Sequence, residues 1–242
     1  SSESGLWTEN QHLKEKIMNN LDKNKRILAL RFILVSLLVA VWGFVCVKAE
    51  DLVNELKSST TAVRLNAIRK LGISLNDERI RILSEHLLEE KDNYLKVEIM
   101  EIISLSGSTV AFNAITKQLE DKNPYMRSVA VLNLGKFKEE LSLPILKKVL
   151  KEEKNRSVKL TTISAFKNYK STAAVETLDN LVSNPNEDKD IKIASIKVLG
   201  AIGGPYSEKV LKKYSSHPDK ELRNIVDVEL KKISEESKNK KK

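Results

Sequence analysis

The sequence is short of the residues that staple small folds together. One cysteine, Cys46, stands in 242 residues, so no disulfide framework exists. The three histidines, His12, His86 and His217, are scattered, and no Cys/His metal cluster forms from them. There is no glycine-rich phosphate loop and no nucleophile motif. Eight glycines, five prolines and 5% aromatics argue against a sheet-rich fold and suit a helical array. The only tryptophans, Trp7 and Trp42, lie near the start, so an aromatic cage for a flipped base has no support. Catalytic cofactor and metal chemistry are therefore not expected.

Charge is plentiful but nearly balanced. Charged residues make up 31% and the formal net charge is +9. Residues 1–49 carry +3 of it and residues 50–242 the remaining +6. This is mild for a chain so charged. It permits an acidic partner and does not demand nucleic acid.

What the sequence does have is a repeat. Its clearest copy runs Asp121-Lys-Asn-Pro-Tyr-Met-Arg-Ser-Val-Ala-Val-Leu-Asn-Leu-Gly135. Asn123 reads as an N-cap, and Pro124 as the first helical residue, where a missing N–H costs nothing. Met126, Ala130 and Leu134 share one helical face, and Gly135 marks where the helix ends or bends. With Met126 as position zero, the counterparts are Val63, Leu95, Val158, Ile191 and Leu222, spaced by 31–33 residues. Position +4 holds Ala67, Ile99, Ala130, Thr162, Ser195 and Val226. Position +8 holds Leu71, Ile103, Leu134, Phe166, Leu199 and Leu230. Position −3 holds Thr60, Asp92, Asn123, Asn155, Asp188 and Asp219, all good N-caps. Position +1 holds Arg64, Lys96, Arg127, Lys159, Lys192 and Arg223, all basic. A fixed period of this length marks a solenoid of helical hairpins, each burying its apolar face on its neighbours.

The repeat resembles the HEAT family, particularly its short HEAT-like units. The likeness is carried by Asp121, Asn123, Pro124, Met126, Arg127, Ala130, Leu134 and Gly135, and again by Val63, Arg64, Ala67, Leu71 and Gly72. It covers roughly residues 50–233. It implies an all-α, right-handed α–α superhelix of about six hairpins, with second helices lining the concave surface. It implies no single function, because the family hosts unrelated roles. Some HEAT-like proteins are pigment lyases or metal-binding hydroxylases, but the recurring His-Glu pairs of the latter are missing here.

In chain order, residues 1–26 read as a polar tail. Residues 27–49 hold an apolar run, with sixteen uncharged residues from 32 to 47. Lys23, Lys25, Arg26 and Arg31 precede the run, which places the N-terminus in the cytoplasm and the repeats beyond the membrane. Two readings stand. One is a signal peptide starting at Met18 and cut after Val47-Lys48-Ala49, leaving Glu50 first. The other is a retained membrane anchor through residues 27–47. Residues 50–233 form the repeat domain, and residues 234–242 read as a basic disordered tail. First helices are expected at 77–89, 108–120, 139–151, 172–182 and 205–214, with partners starting near 93, 124, 156, 189 and 220. Pro144 is placed in a first turn, where proline is tolerated. The stretch 183–188 is expected as the longest turn, and Gly203-Gly204-Pro205 as a break before the last repeat. In that repeat Asn224 and Asp227 replace apolar residues at positions +2 and +5, so it reads as a terminal cap.

Two surfaces carry the functional expectations. The basic +1 column falls within the apolar arc and needs partners. Asp92, Asp188 and Asp219 at −3, with Glu90, Asp121 and Glu153 at −5, are the candidates for a structural ladder; the functional alternative is six cations lining a phosphate-binding groove. Opposite the core lie Val129, Leu132, Thr161, Ser164, Ala194, Ile225 and Val228, joined by Tyr94 and Tyr125. That stripe suits a helix or extended segment of a protein partner; the alternative is that Val129 and Leu132 pack on first helices. The expected function is a non-catalytic, exported or membrane-tethered interaction scaffold. The alternatives are a lyase-type protein acting on a bound pigment or modified protein, and a binder of anionic lipid through the Lys-rich end.

Overall fold

The structure is a computed structural model that describes residues 49–239. The array below belongs to a compact unit that begins at Leu52. The apolar run, and Val47 of the cleavage sequence, lie outside the described residues; Ala49 and Glu50 are the first residues of a helix. Among the described residues no helix is long and apolar enough to cross a membrane.

Twelve α-helices follow one another, with no strand among the described residues. They pair into hairpins. The first is α1 (Ala49–Leu56) with α2 (Thr61–Gly72), and the second α3 (Asp77–Glu89) with α4 (Asn93–Ser104). The third is α5 (Thr109–Lys117), prolonged by a 3-10 turn Gln118–Glu120, with α6 (Pro124–Leu134). The fourth is α7 (Glu139–Glu152) with α8 (Arg156–Ala165) and a 3-10 turn Phe166–Asn168. The fifth is α9 (Thr172–Ser183) with α10 (Lys189–Ile202), and the sixth α11 (Gly204–Lys212) with α12 (Lys220–Asn239). The all-α solenoid read from the period is therefore the fold.

Local chemistry sets the helix starts. Asp92, Asn123, Asn155 and Asp188 each accept a backbone N–H of the first turn that follows, and Asp219 does the same for Glu221 and Leu222. Each satisfies a donor the helix itself cannot. Thr60 differs: its side chain makes no capping bond. The first helices use Asn76, Ser108 and Ser171 in the same way.

The repeat columns form the core. Position +4 is fully buried in all six copies, and position zero in every copy but Val63, which is 37% exposed. Thr162 and Ser195 sit in that core because each hydroxyl donates 2.8 Å back to the carbonyl four residues earlier, which removes the cost of burying it. Gly135 ends α6 in ordinary right-handed geometry, φ −63°. Its real constraint is packing, since a Cβ there would stand 3.0 Å from that of Ala165 in the next repeat. At Gly200 a Cβ would collide with the Glu229 carboxylate. The break before the last hairpin is sharper: Gly203 and Gly204 have φ +66° and +78°, a region side chains avoid.

Three expectations need correction. Pro144 lies inside α7 rather than in its first turn. Its ring is exposed, and the Glu140 carbonyl four residues back loses its helical donor. The longest connection is 213–219 and not 183–188. Tyr214, Ser215 and His217 each donate N–H three residues back there, so α11 decays through tight turns. Finally, α12 continues to Asn239, so 234–239 is helical and not disordered. Buried Ile233 ties down the approach, and the Ser237 hydroxyl donates to its carbonyl at 2.8 Å. Asn224 and Asp227 are exposed where the equivalents of Asp227 in other repeats, such as Ile68 and Val131, are buried. The terminal face is thus polar.

Candidate functional site

The turns build a ladder from one repeat to the next. Arg127, at +1 of the third repeat, directs Nε and Nη2 onto Glu153 of the fourth at 2.8 and 3.0 Å. Its Nη1 donates to the carbonyls of Asp121 and Lys122 in its own turn, at 2.9 and 3.2 Å. Arg64 repeats this pattern, with Glu90 as acceptor at 2.9 and 3.2 Å and with the carbonyls of Ser58 and Ser59. The lysine copies do less, because an ammonium is a point donor and not a fork. Lys96 meets Asp121 at 3.1 Å and Lys159 meets Glu187 at 3.7 Å. Arg223 keeps only the carbonyl half, to His217 and Pro218.

The carboxylate also organises its own turn. Glu90 accepts the N–H groups of Lys91 and Asp92, and Glu153 those of Lys154 and Asn155. Burial pushes Glu90 upward, but Arg64 and these N–H groups outweigh it and hold the acid below its ordinary range. At Glu153 the Arg127 hydrogen bond is the largest influence and lowers it, against burial. At Asp121 burial raises, and the Asn123 N–H and Lys96 lower it further. His86 belongs to this network, with Nε2 3.1 Å from Glu90.

The structure thus puts the ladder acids at −5 or −4. Asp92 caps α4, and Asp188 and Asp219 cap α10 and α12, rather than meeting a +1 cation. Among the described residues Lys192 has no carboxylate within ion-pair distance. The −5 position it should meet in the last repeat is His217, whose Nδ1 accepts the Asp219 N–H at 3.1 Å.

A second, outer ladder went unread in the sequence. Arg156 at −2 reaches Asp188 and Asp190 of the next repeat. Lys189, also at −2, reaches Asp219 and Glu221 at 2.9 and 2.8 Å. The signal was a basic −2 followed one repeat later by an acidic −1. The pattern fails where −2 is Asn93 or Pro124 and −1 is Tyr94 or Tyr125.

That gap coincides with the expected binding stripe. Tyr94 is 53% exposed, Tyr125 61%, Leu132 49% and Val228 53%. Thr161, Ser164, Ala194 and Ile225 are half-buried. Val129 is buried, although Asn66 at the same +3 position is exposed, so the packing of its own repeat covers it; −1 and +6, seven residues apart, point outward together. Tyr94 and Tyr125 flank a recess of 400 Å³ with Val97, Glu98 and Glu101. The Tyr94 hydroxyl donates to Glu98 at 2.9 Å, and Arg69 donates to the same oxygen at 2.6 Å. Arg69 chiefly, and then the hydroxyl, hold Glu98 below the usual carboxylate range against burial.

A larger cleft of 460 Å³ opens on the first-helix layer between α5 and α7, floored by Leu119, Ile145 and Val149. Its rim mixes Glu120, Lys148, Glu152 and Lys154, so it selects no charge. Among the described residues no group of three or more His, Cys, Asp or Glu is placed to hold a metal.

Comparison with known proteins places the fold. Residues 80–167, from α3 to the turn after α8, match the family model for HEAT repeats. Similar solved structures include the CpcE–CpcF complex of phycocyanin lyase from a Nostoc species, at 19% identity over 74% of each chain and a TM-score of 0.50. An engineered protein matches at 20% identity over 77% of this chain and 96% of its own, with a TM-score of 0.42. Human deoxyhypusine hydroxylase matches at 14% identity over 77% and 96%, with a TM-score of 0.35. The first likeness supports the fold alone, and the other two carry no argument. No curated protein sequence matches the chain.

Proposed function

We propose that this array of HEAT-like repeats is a non-catalytic scaffold that holds a protein partner on the concave, second-helix side. The observation that supports it is the gap in the outer ladder. Ion pairs join neighbouring second helices on that face at Arg69–Glu98, Arg156–Asp190 and Lys189–Glu221. Between them, from the second to the fourth repeat, stand exposed Tyr94, whose hydroxyl joins the Arg69–Glu98 pair, and exposed Tyr125 and Leu132, which no ion pair or side-chain hydrogen bond ties to a neighbouring repeat among the described residues. Aromatic and aliphatic side chains there lose water on docking, and aromatics are favoured anchors of interfaces. The half-buried Thr161, Ser164, Ala194 and Ile225 continue the surface toward Val228.

The export reading stays with this proposal and rests on the sequence, through the uncharged run 32–47 and the basic residues before it. The Leu132→Asp variant tests the docking face. Leu132 is 49% exposed, so the variant folds with unchanged unfolding temperature. Crosslinking mass spectrometry in intact cells is expected to lose the partners that the parent protein retains. Recovery of the same partners by the folded variant refutes the face.

A further inference from the structure

We propose that the recess between Tyr94 and Tyr125 receives a lysine or arginine side chain of the protein partner, held between the phenol rings and the carboxylates of Glu98 and Glu101. The inference rests on the docking face above and specifies what that face recognises.

Charge complementarity carries it. Two carboxylates border the recess. Arg69, the cation beside it, is turned onto Glu98 at 2.6 Å and onto the Tyr94 hydroxyl at 3.1 Å. Glu101 is exposed and has no ion-pair partner among the described residues, so one negative charge stands uncompensated in a chain of net +9. Elsewhere on this face an acid at −1 meets a cation at −2 of the preceding repeat, as Asp190 meets Arg156 and Glu221 meets Lys189. In the second and third repeats −2 is Asn93 or Pro124 and −1 is Tyr94 or Tyr125, so that ladder brings no cation to Glu101, and the incoming side chain supplies one.

The rings make the site more than a pair of acids. Phenol faces attract a cation and cover the methylene stem behind it. The hydrogen bond from the Tyr94 hydroxyl to Glu98, 2.9 Å, fixes one wall before the ligand arrives. Val97 lines the recess and gives the stem an apolar surface. Tyr125 and Leu132 lie two turns apart on the same side of α6, so an apolar residue flanking the cation in the partner segment meets Leu132. An anion is disfavoured, because Arg69 is occupied and Glu101 repels it.

The test uses the full chain and two synthetic nine-residue peptides. One alternates leucine with arginine, and the other replaces each arginine with citrulline, its neutral isostere. Calorimetry is expected to show the arginine peptide binding about tenfold tighter, the combined effect of an exposed ion pair and a cation–π contact. Glu101→Gln narrows that difference to about twofold and leaves the citrulline peptide unchanged. Tyrosine ring signals of Tyr94 and Tyr125 move on titration, while that of buried Tyr169 does not. Equal affinity for both peptides, with Leu132→Asp weakening both alike, overturns the cation site and leaves the docking face standing. Absence of binding by either peptide, together with unchanged partner recovery in Leu132→Asp, removes both.

Discussion

Arg127 shows how much one side chain does at a repeat junction. Its guanidinium ties the Glu153 carboxylate to two carbonyls of its own turn, and both partners are mostly shielded from water. Truncating it leaves Glu153 short of its main partner. Arg127→Ala is expected to lose about 2–3 kcal/mol, between the cost for surface and fully buried pairs. Arg127→Lys restores the ion pair but not the carbonyl bonds, and recovers about half. The pH dependence follows from Glu153, whose folded pKa is held below its ordinary 4.5 chiefly by Arg127. A lowered folded value stabilises fully above 4.5, and that stability is lost as pH falls through the folded value. Unfolding temperature should therefore fall less steeply from about pH 5 to pH 3 in Arg127→Ala than in the parent. The reciprocal case is His217, which fills the carboxylate position opposite Lys192. His217→Glu is expected to add about 1 kcal/mol at neutral pH, seen as a higher unfolding temperature that Lys192→Met abolishes.

Among the elements, the helices were the most legible part of the sequence. Caps and apolar spacing together placed the starts at Asn93, Pro124, Arg156, Lys189 and Lys220. Those signals are local, since a side-chain oxygen and a 3.6-residue period act within one turn. The misreadings arose where the deciding contact is distant or the signal ambiguous. Ile233 buries itself and draws the last helix on past a charged, polar stretch. The −3 acids read as ladder partners or caps, and only packing between repeats assigns them to capping. The outer ladder was missed because its two columns lie in different repeats. Val129 and Leu132 were both open to facing a partner or packing inward by their angle, and only the neighbours decide: Val129 is buried and Leu132 exposed. Pro144 gives the sharpest test at this scale. It interrupts α7 from an exposed position, so Pro144→Ala restores one helical hydrogen bond. The expected gain is about 1–3 kcal/mol, read by denaturant unfolding; a loss would mean the proline shape itself is needed there.

Across the whole repeat unit, stability and recognition occupy different columns. Positions zero, +4, +5 and +8 build the core, +1 and −5 tie the turns, and −1 with +6 face outward. Ion pairs close that outward stripe near its ends, while tyrosines and Leu132 occupy its middle. Partner docking on those middle repeats is the central claim. The most direct measurement is photocrosslinking in cells from a benzophenone side chain placed at Tyr125, compared with one at Lys147, which is exposed on α7 in the first-helix layer. The account predicts a discrete protein adduct from position 125 and none from position 147; adducts from 147 alone, or the same adducts from both, would contradict it.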